Sequence, residues 1–92
     1  MVRVHSLRRG AAEAIEAEAL GDKQSSRVVG RKVEEIDLPE GTTIPAIVRG
    51  ENVIIAHHDT QILEGDHVLL FVPDKRQIAA IERLFQVGVT FL

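Results

Sequence analysis

The chain has 92 residues, 45% of them hydrophobic, with no cysteine, tryptophan or tyrosine and a formal net charge of −3. That length makes one small domain, near the size where a single core only just suffices. Without thiols, disulfides and thiolate chemistry are excluded. No apolar run approaches the ~20 residues that cross a bilayer, and the N-terminus lacks the apolar stretch of a signal peptide, so a soluble piece is expected.

Aliphatic residues supply nearly all of the apolar surface, since the only aromatics are three phenylalanines. A sheet domain built this way commonly gains stability by self-association, and a dimer or larger assembly is expected. Charge is unevenly placed: residues 1–32 sum to +3, residues 33–74 to −8 and residues 75–92 to +2. A nucleic-acid binder concentrates its cations and raises its isoelectric point above ~9. Here that point is about 5.7. Complementary acidic and basic segments suit packing between subunits better.

In chain order, residues 2–7 alternate β-branched side chains and predict a strand, followed by turn chemistry at Arg8-Arg9-Gly10. Residues 12–20 have high helix propensity, yet Ile15, Ala17 and Ala19 alternate with Glu16 and Glu18. The alternation and the preceding turn favour a strand paired with 2–7. Gly21–Ser26 is a polar connection. A short helix is predicted over about 28–36, with Val29, Val33 and Ile36 on one side, ended by Leu38-Pro39-Glu40-Gly41. Strands near 44–49 and 52–56 pair through Gly50-Glu51, and residues 57–66 form a loop with Gly65 at its tip.

The acidic glycine turn Gly65-Asp66 launches the strand near 67–73. That strand is apolar on both sides at Val68, Leu69, Leu70, Phe71 and Val72, which predicts a central position buried on both faces. Asp74 can cap a final helix at 75–86, whose stripe Ile78, Ile81, Leu84 and Phe85 covers one face of the sheet. The architecture expected is two-layer α+β: a small mixed sheet with an N-terminal hairpin, a short helix after the first strands and a C-terminal helix. Its connections are too short to hold an active-site cleft, so a non-catalytic regulatory or assembly module is expected. The packing positions that would carry it are Ile47, Val53, Ile55, Val68, Leu70 and Phe71.

Several polar groups are candidate sites. His57, His58 and Asp59 could meet His67 around a divalent metal, but in an extended segment His58 faces away from the other two. The plainer reading is polar residues where a strand leaves the sheet. Glu16 and Glu18 share a strand face and could hold a cation or do acid–base chemistry, but they lack a third ligand or a nucleophile. Ser25 and Ser26 have no glycine elbow and no positioned base. Arg8, Arg9 and Arg31-Lys32 could clamp a phosphate or anionic ligand, and Arg8, Arg9 or Arg49 could bind an anionic ligand at a two-fold interface. Catalytic, cofactor and metal residues are expected to be absent. The apolar tail 87–92 is expected to pack on the sheet or on a partner subunit.

These segments carry a resemblance in their order and spacing. A Glu-containing first strand, Ser26-x-x-x-Gly30-x-x-Val33, the Ile47-Val48-Arg49-Gly50 hairpin and Gly65-Asp66-x-Val68-Leu69-Leu70 resemble the RCK-C or TrkA-C family over roughly residues 14–75. These are C-terminal regulatory domains of potassium-conductance regulators. Val4–Glu16, Ile55–Asp59 and Ile81–Gln86 extend the likeness to a domain that closes a longer subunit. The resemblance implies a single domain over 1–92, with 1–13 entering from an upstream domain, 14–86 as core and 87–92 as tail. It further implies a cytoplasmic domain at the inner face of the plasma membrane, pairing into dimers and gating a membrane potassium channel subunit through ring contacts. In this family the nucleotide site, for NAD or ATP, lies in a separate Rossmann-type domain with Gly-x-Gly-x-x-Gly after a strand. The glycines here, at 10, 21, 30, 41, 50, 65 and 88, have no such spacing. A nucleotide or cation sensor acting at the dimer interface is the alternative role.

Overall fold

Residues 2–7 and 12–87 are described by the structure, a computed structural model. Five strands, β1 (Val2–Leu7), β2 (Ala12–Glu18), β3 (Thr43–Arg49), β4 (Asn52–Ile55) and β5 (His67–Val72), form one sheet in the order β1-β2-β5-β3-β4. Every pairing is antiparallel, so the expected mixed sheet is corrected to an antiparallel one. No strand–helix–strand crossover separates any two neighbours, and such a crossover is what parallel pairing needs.

At residues 12–18 the period of two overrides helix propensity. Glu13, Ile15, Ala17 and Ala19 are buried while the residues between them are half-exposed. Both neighbours supply ladder bonds: Ile15 lies opposite Val4 on β1 and Leu70 on β5. β5 is central, as its apolar run suggests. Val68 lies opposite Ala17 on one side and Ile47 on the other.

The helix expected over 28–36 is reduced to a single 3-10 turn at Val33–Glu35. Gly30 has φ +81°, a left-handed conformation that cannot continue a helix. The surrounding amides bond elsewhere. Ser26 Oγ accepts from the N–H groups of Val28 and Val29, each at 3.0 Å. Gly30 N–H donates to Ile62 O, Val33 N–H to Thr60 O and Glu34 N–H to His58 O, and Ile62 N–H donates back to Arg31 O. This segment is therefore zipped to the loop 57–66 and drapes Val28, Val29 and Ile36 over the sheet.

The last element opens with a 3-10 turn, Lys75–Gln77, whose first amides Asp74 caps by accepting from Arg76 N–H at 2.9 Å. It runs into α1 (Ile78–Leu84), where Ile81 and Leu84 are buried, followed by buried Phe85. Ile15, Ala17, Ile47, Val68, Leu70 and Val72 of the sheet join Val28, Val29, Ile36, Ile62, Ile81, Leu84 and Phe85 in one core cluster. Each buried aliphatic side chain there stabilises the fold by roughly 1.5–3 kcal/mol relative to exposure.

All of that covering lies on one side. The expectation that β5 is buried on both faces is corrected: Val68, Leu70 and Val72 are buried, but Leu69 is half-buried and Phe71 is 48% exposed. Two further expected packing residues also stand in the open, Val53 at 67% and Ile55 at 64% exposure. The structure is two layers, and the second face of the sheet is bare among the described residues.

Candidate functional site: the open face of the sheet

Register decides what this bare face carries. Ala46 on β3 lies between Ile55 on β4 and Leu69 on β5, and Val48 lies between Val53 and His67. On the other side of β5, Ala14 is opposite Phe71, Glu16 opposite Leu69 and Glu18 opposite His67. The β3–β4–β5 half is therefore an aliphatic patch with one phenylalanine. The β2 side is acidic. Glu16 Oε2 lies 2.9 Å from His67 Nδ1, within hydrogen-bond distance.

Arg49, a candidate anion ligand, is engaged by its own fold. Its Nε donates to Asp66 Oδ1 and its Nη2 to Asp66 Oδ2, both at 2.9 Å. Nη2 also donates to Gln61 O at 3.0 Å. Asp66 is 1% exposed and accepts a further bond from Leu63 N–H at 2.8 Å. Bidentate charge-assisted bonding raises the Arg49 pKa above its ordinary value, against a smaller opposing effect of burial. The pair ties the end of β3 to the turn that launches β5. Arg8 and Arg9 lie outside the described residues.

His57, His58 and Asp59 occupy an exposed tight turn. Thr60 Oγ1 accepts from His57 N–H at 2.9 Å, and His58 Nδ1 sits 3.1 Å from Glu34 Oε2. His67 is not brought to them; it pairs with Glu16. Among the described residues no group of three or more His, Asp or Glu is arranged to hold a metal ion.

The serines serve local turns. Ser26 Oγ is the cap described above, and Ser25 Oγ accepts from Asp22 N–H at 2.9 Å. Asp22 in turn accepts from the amides of Gln24 and Ser25, and these bonds lower its pKa. Arg31 wraps the same turn, donating from Nη1 to Ser26 O at 2.6 Å. Lys32 N–H donates to Glu35 Oε1 at 2.7 Å as that residue reaches back over the 3-10 turn.

Two shallow clefts of about 370 Å³ and 320 Å³ flank the end of α1 and share Arg83 and Gln86. Arg27 Nη1 crosses there to donate to Arg83 O at 2.9 Å, satisfying a carbonyl at the helix end. Val87 is the last described residue, and the remainder of the tail 87–92 lies outside the described set.

The residues that reasoning from sequence missed are Asp66 as a buried anion and the Glu16–His67 pair. Asp66 was visible only as the acid after a turn glycine, and its cationic partner lies on another strand. No helix is long and apolar enough to cross a membrane among the described residues. The arrangement offers a flat apolar surface with an acidic margin, suited to contact with another surface.

That geometry belongs to a known class. The TrkA-C domain family model matches residues 23–86, and the chain belongs to that family. It is similar to the Trk system potassium uptake protein TrkA of Halomonas elongata, at 68% identity over 99% of this chain and 20% of that protein. The protein of the same name from Vibrio alginolyticus is 56% identical over 100% of this chain and 20% of its own length. That from Haemophilus influenzae is 46% identical over 97% of this chain and 19% of its own length. The chain thus spans about a fifth of the length of these curated relatives. A solved structure described as an RCK domain with cda shares the fold, with a TM-score of 0.64 at 18% identity, covering 79% of this chain and 97% of that one.

Proposed function

We propose that this chain is a non-catalytic, cytoplasmic regulatory and assembly domain of a bacterial potassium uptake subunit. It holds subunits together in an oligomer, joins them to upstream Rossmann-type nucleotide domains and passes their rearrangements to a membrane potassium transporter subunit. Membership of the TrkA-C family and the name shared by the relatives support the potassium system. The observation that carries the assembly role is a sheet with its whole core on one side and Val53, Ile55 and Phe71 exposed on the other. The free energy for switching comes from a ligand that binds two states of the assembly unequally; this domain transmits that difference. NAD or ATP belongs, in this reading, to the upstream domains.

The test is rubidium uptake by cells whose full-length uptake subunit carries this domain intact or deleted. Loss of uptake with nucleotide binding by the upstream domains retained is expected. Unchanged uptake on deletion would overturn the reading.

A second reading, a sensor that binds a nucleotide or cation at its dimer interface, draws support from the solved neighbour described with cda. Calorimetry of the chain with nucleotides and divalent ions separates the two, because saturation at one ligand per dimer is expected only of the sensor.

A further inference from the structure

Backbone phase fixes what the edge strand β4 offers. Ala56 N–H donates to Pro45 O at 3.0 Å, and the β3–β4 register runs without a shift from Ala46↔Ile55 to Arg49↔Asn52. Ladder bonding in an antiparallel pair alternates along each strand, so Asn52, Ile54 and Ala56 turn their backbone groups inward to β3. Val53 and Ile55 therefore aim theirs away from the sheet, and no described strand pairs with that side. Their side chains stand on the bare face as well.

Sheet edges are commonly guarded by Lys, Pro or a bulge. Asn52–Ile55 has none of these, and its only guard is its length of four residues. The opening has defined limits. The Gly50-Glu51 turn closes one end, and at the other His57 N–H is taken by Thr60 Oγ1 at 2.9 Å. What fits between is a short extended segment, bonded through its main chain to Val53 and Ile55. Its residues opposite those two continue the apolar face, and the one between them lies beside half-buried Ile54.

Charge selects the kind of segment. Residues 50–74 contain no Lys or Arg. Exposed Glu51 and Asp59 stand in the two connections that bound β4, and Glu34 Oε2 joins the second of them, 3.1 Å from His58 Nδ1. Arg49, just before the turn, is bound to buried Asp66. A second copy docked edge to edge would bring two acidic margins together, whereas Lys or Arg at both ends of an incoming strand meets those acids.

We infer that the outer edge of β4 takes an extended strand from a different protein, apolar at its centre and carrying Lys or Arg at both ends. The backbone of Val53 and Ile55 holds the strand, and the acids at the two ends of β4 select its sequence. This goes beyond the assembly role proposed above by adding a partner of different sequence.

The experiment is titration of the isotope-labelled 92-residue chain with the peptide Lys-Lys-Val-Ile-Val-Lys-Lys, read by amide chemical shifts. The amides of Val53 and Ile55 should shift most, and that of Ile54, which bonds inward, least of the three. The same peptide N-methylated at its central residues tests the main-chain bonds, and a version with Glu in place of Lys tests charge. Each should bind at least about tenfold more weakly. Ile55→Pro blocks the edge from the protein's side, because the lost N–H points outward and the β3–β4 ladder keeps its bonds. With a wild-type circular dichroism spectrum, it should weaken binding as far as peptide methylation does. The methylated peptide leaves the protein untouched, so the test does not depend on that variant folding. Equal binding of the methylated or Glu peptide, shifts centred elsewhere, or no binding at about millimolar peptide overturns the inference. So does a wild-type dimer that Ile55→Pro abolishes, since the edge then belongs to a second copy.

Discussion

Arg49 and Asp66 meet through two parallel bonds of 2.9 Å, with the carboxylate 1% exposed and the arginine side chain 37% exposed. One group is sealed in and the other reaches water. Removing the arginine therefore strands a buried charge, while the reverse change frees a solvated cation. Arg49→Leu should destabilise the fold by about 2–3 kcal/mol, less than the 3–5 of a fully buried pair because solvent reaches the guanidinium. Asp66→Asn should also weaken the turn at Leu63–Asp66. Urea unfolding followed by circular dichroism measures both; a change below 0.5 kcal/mol, about the scatter of surface substitutions, would mean the pair is ornamental.

Gly30 is the hinge on which residues 26–36 leave the helical path. Its φ is +81°, and a Cβ added there would approach Lys23 Cγ to 3.3 Å. Gly30→Ala should cost roughly 1–2 kcal/mol, mostly from the left-handed backbone, because the lysine stem can give way. A shift in the urea midpoint at constant slope is the expected readout.

Ile81 anchors α1 in the core and is fully buried. Ile81→Ala should lower stability by about 2–5 kcal/mol through lost burial plus a cavity. Thermal melts at several protein concentrations distinguish this loss from dissociation, since a core defect lowers the midpoint at every concentration.

Hydrogen bonds from Gln24 and Ser25 amides favour the charged form of Asp22 and lower its pKa below the ordinary 3.8. A depressed carboxylate stabilises the fold above its unfolded-state value and loses that contribution as pH falls through the folded one. The melting-temperature gap between wild type and Asp22→Ala should thus be full at neutral pH and shrink as pH drops below 3.8. A gap that stays constant down to the most acid pH would exclude the charged acceptor as its source. The same sign applies to Asp74, whose pKa Arg76 lowers.

Local pattern carried most of the architecture. The alternation of Ile15, Ala17 and Ala19 with Glu16 and Glu18 reports a strand correctly, because each side of a pleat meets a different medium. The Gly50-Glu51 turn and the stripe Ile78, Ile81, Leu84 and Phe85 are equally local signals. Residues 28–36 misled for a non-local reason. Val29, Val33 and Ile36 have helical spacing, but their amides bond to residues 58–62, and no feature of the segment itself announces that partner. The β5 run misled differently. An apolar sequence records that both faces avoid water, not which neighbour covers each. One face is covered by other segments of the same chain, and the other, with Val53, Ile55 and Phe71 exposed, is left open among the described residues. Among the candidate site residues, Arg49 looked free because Asp66 lies on the far side of β4 in sequence.

In the order β1-β2-β5-β3-β4, β5 follows the other four described strands in sequence and joins them. Two hairpins are complete by residue 55, yet they share no ladder with each other until His67–Val72 slots between them. A nascent polypeptide emerging from the ribosome should therefore hold two separate half-sheets, each with an unmatched edge, until that final stretch clears the exit tunnel. Stalled chains ending short of it should be cut readily by a protease, and slightly longer ones should resist.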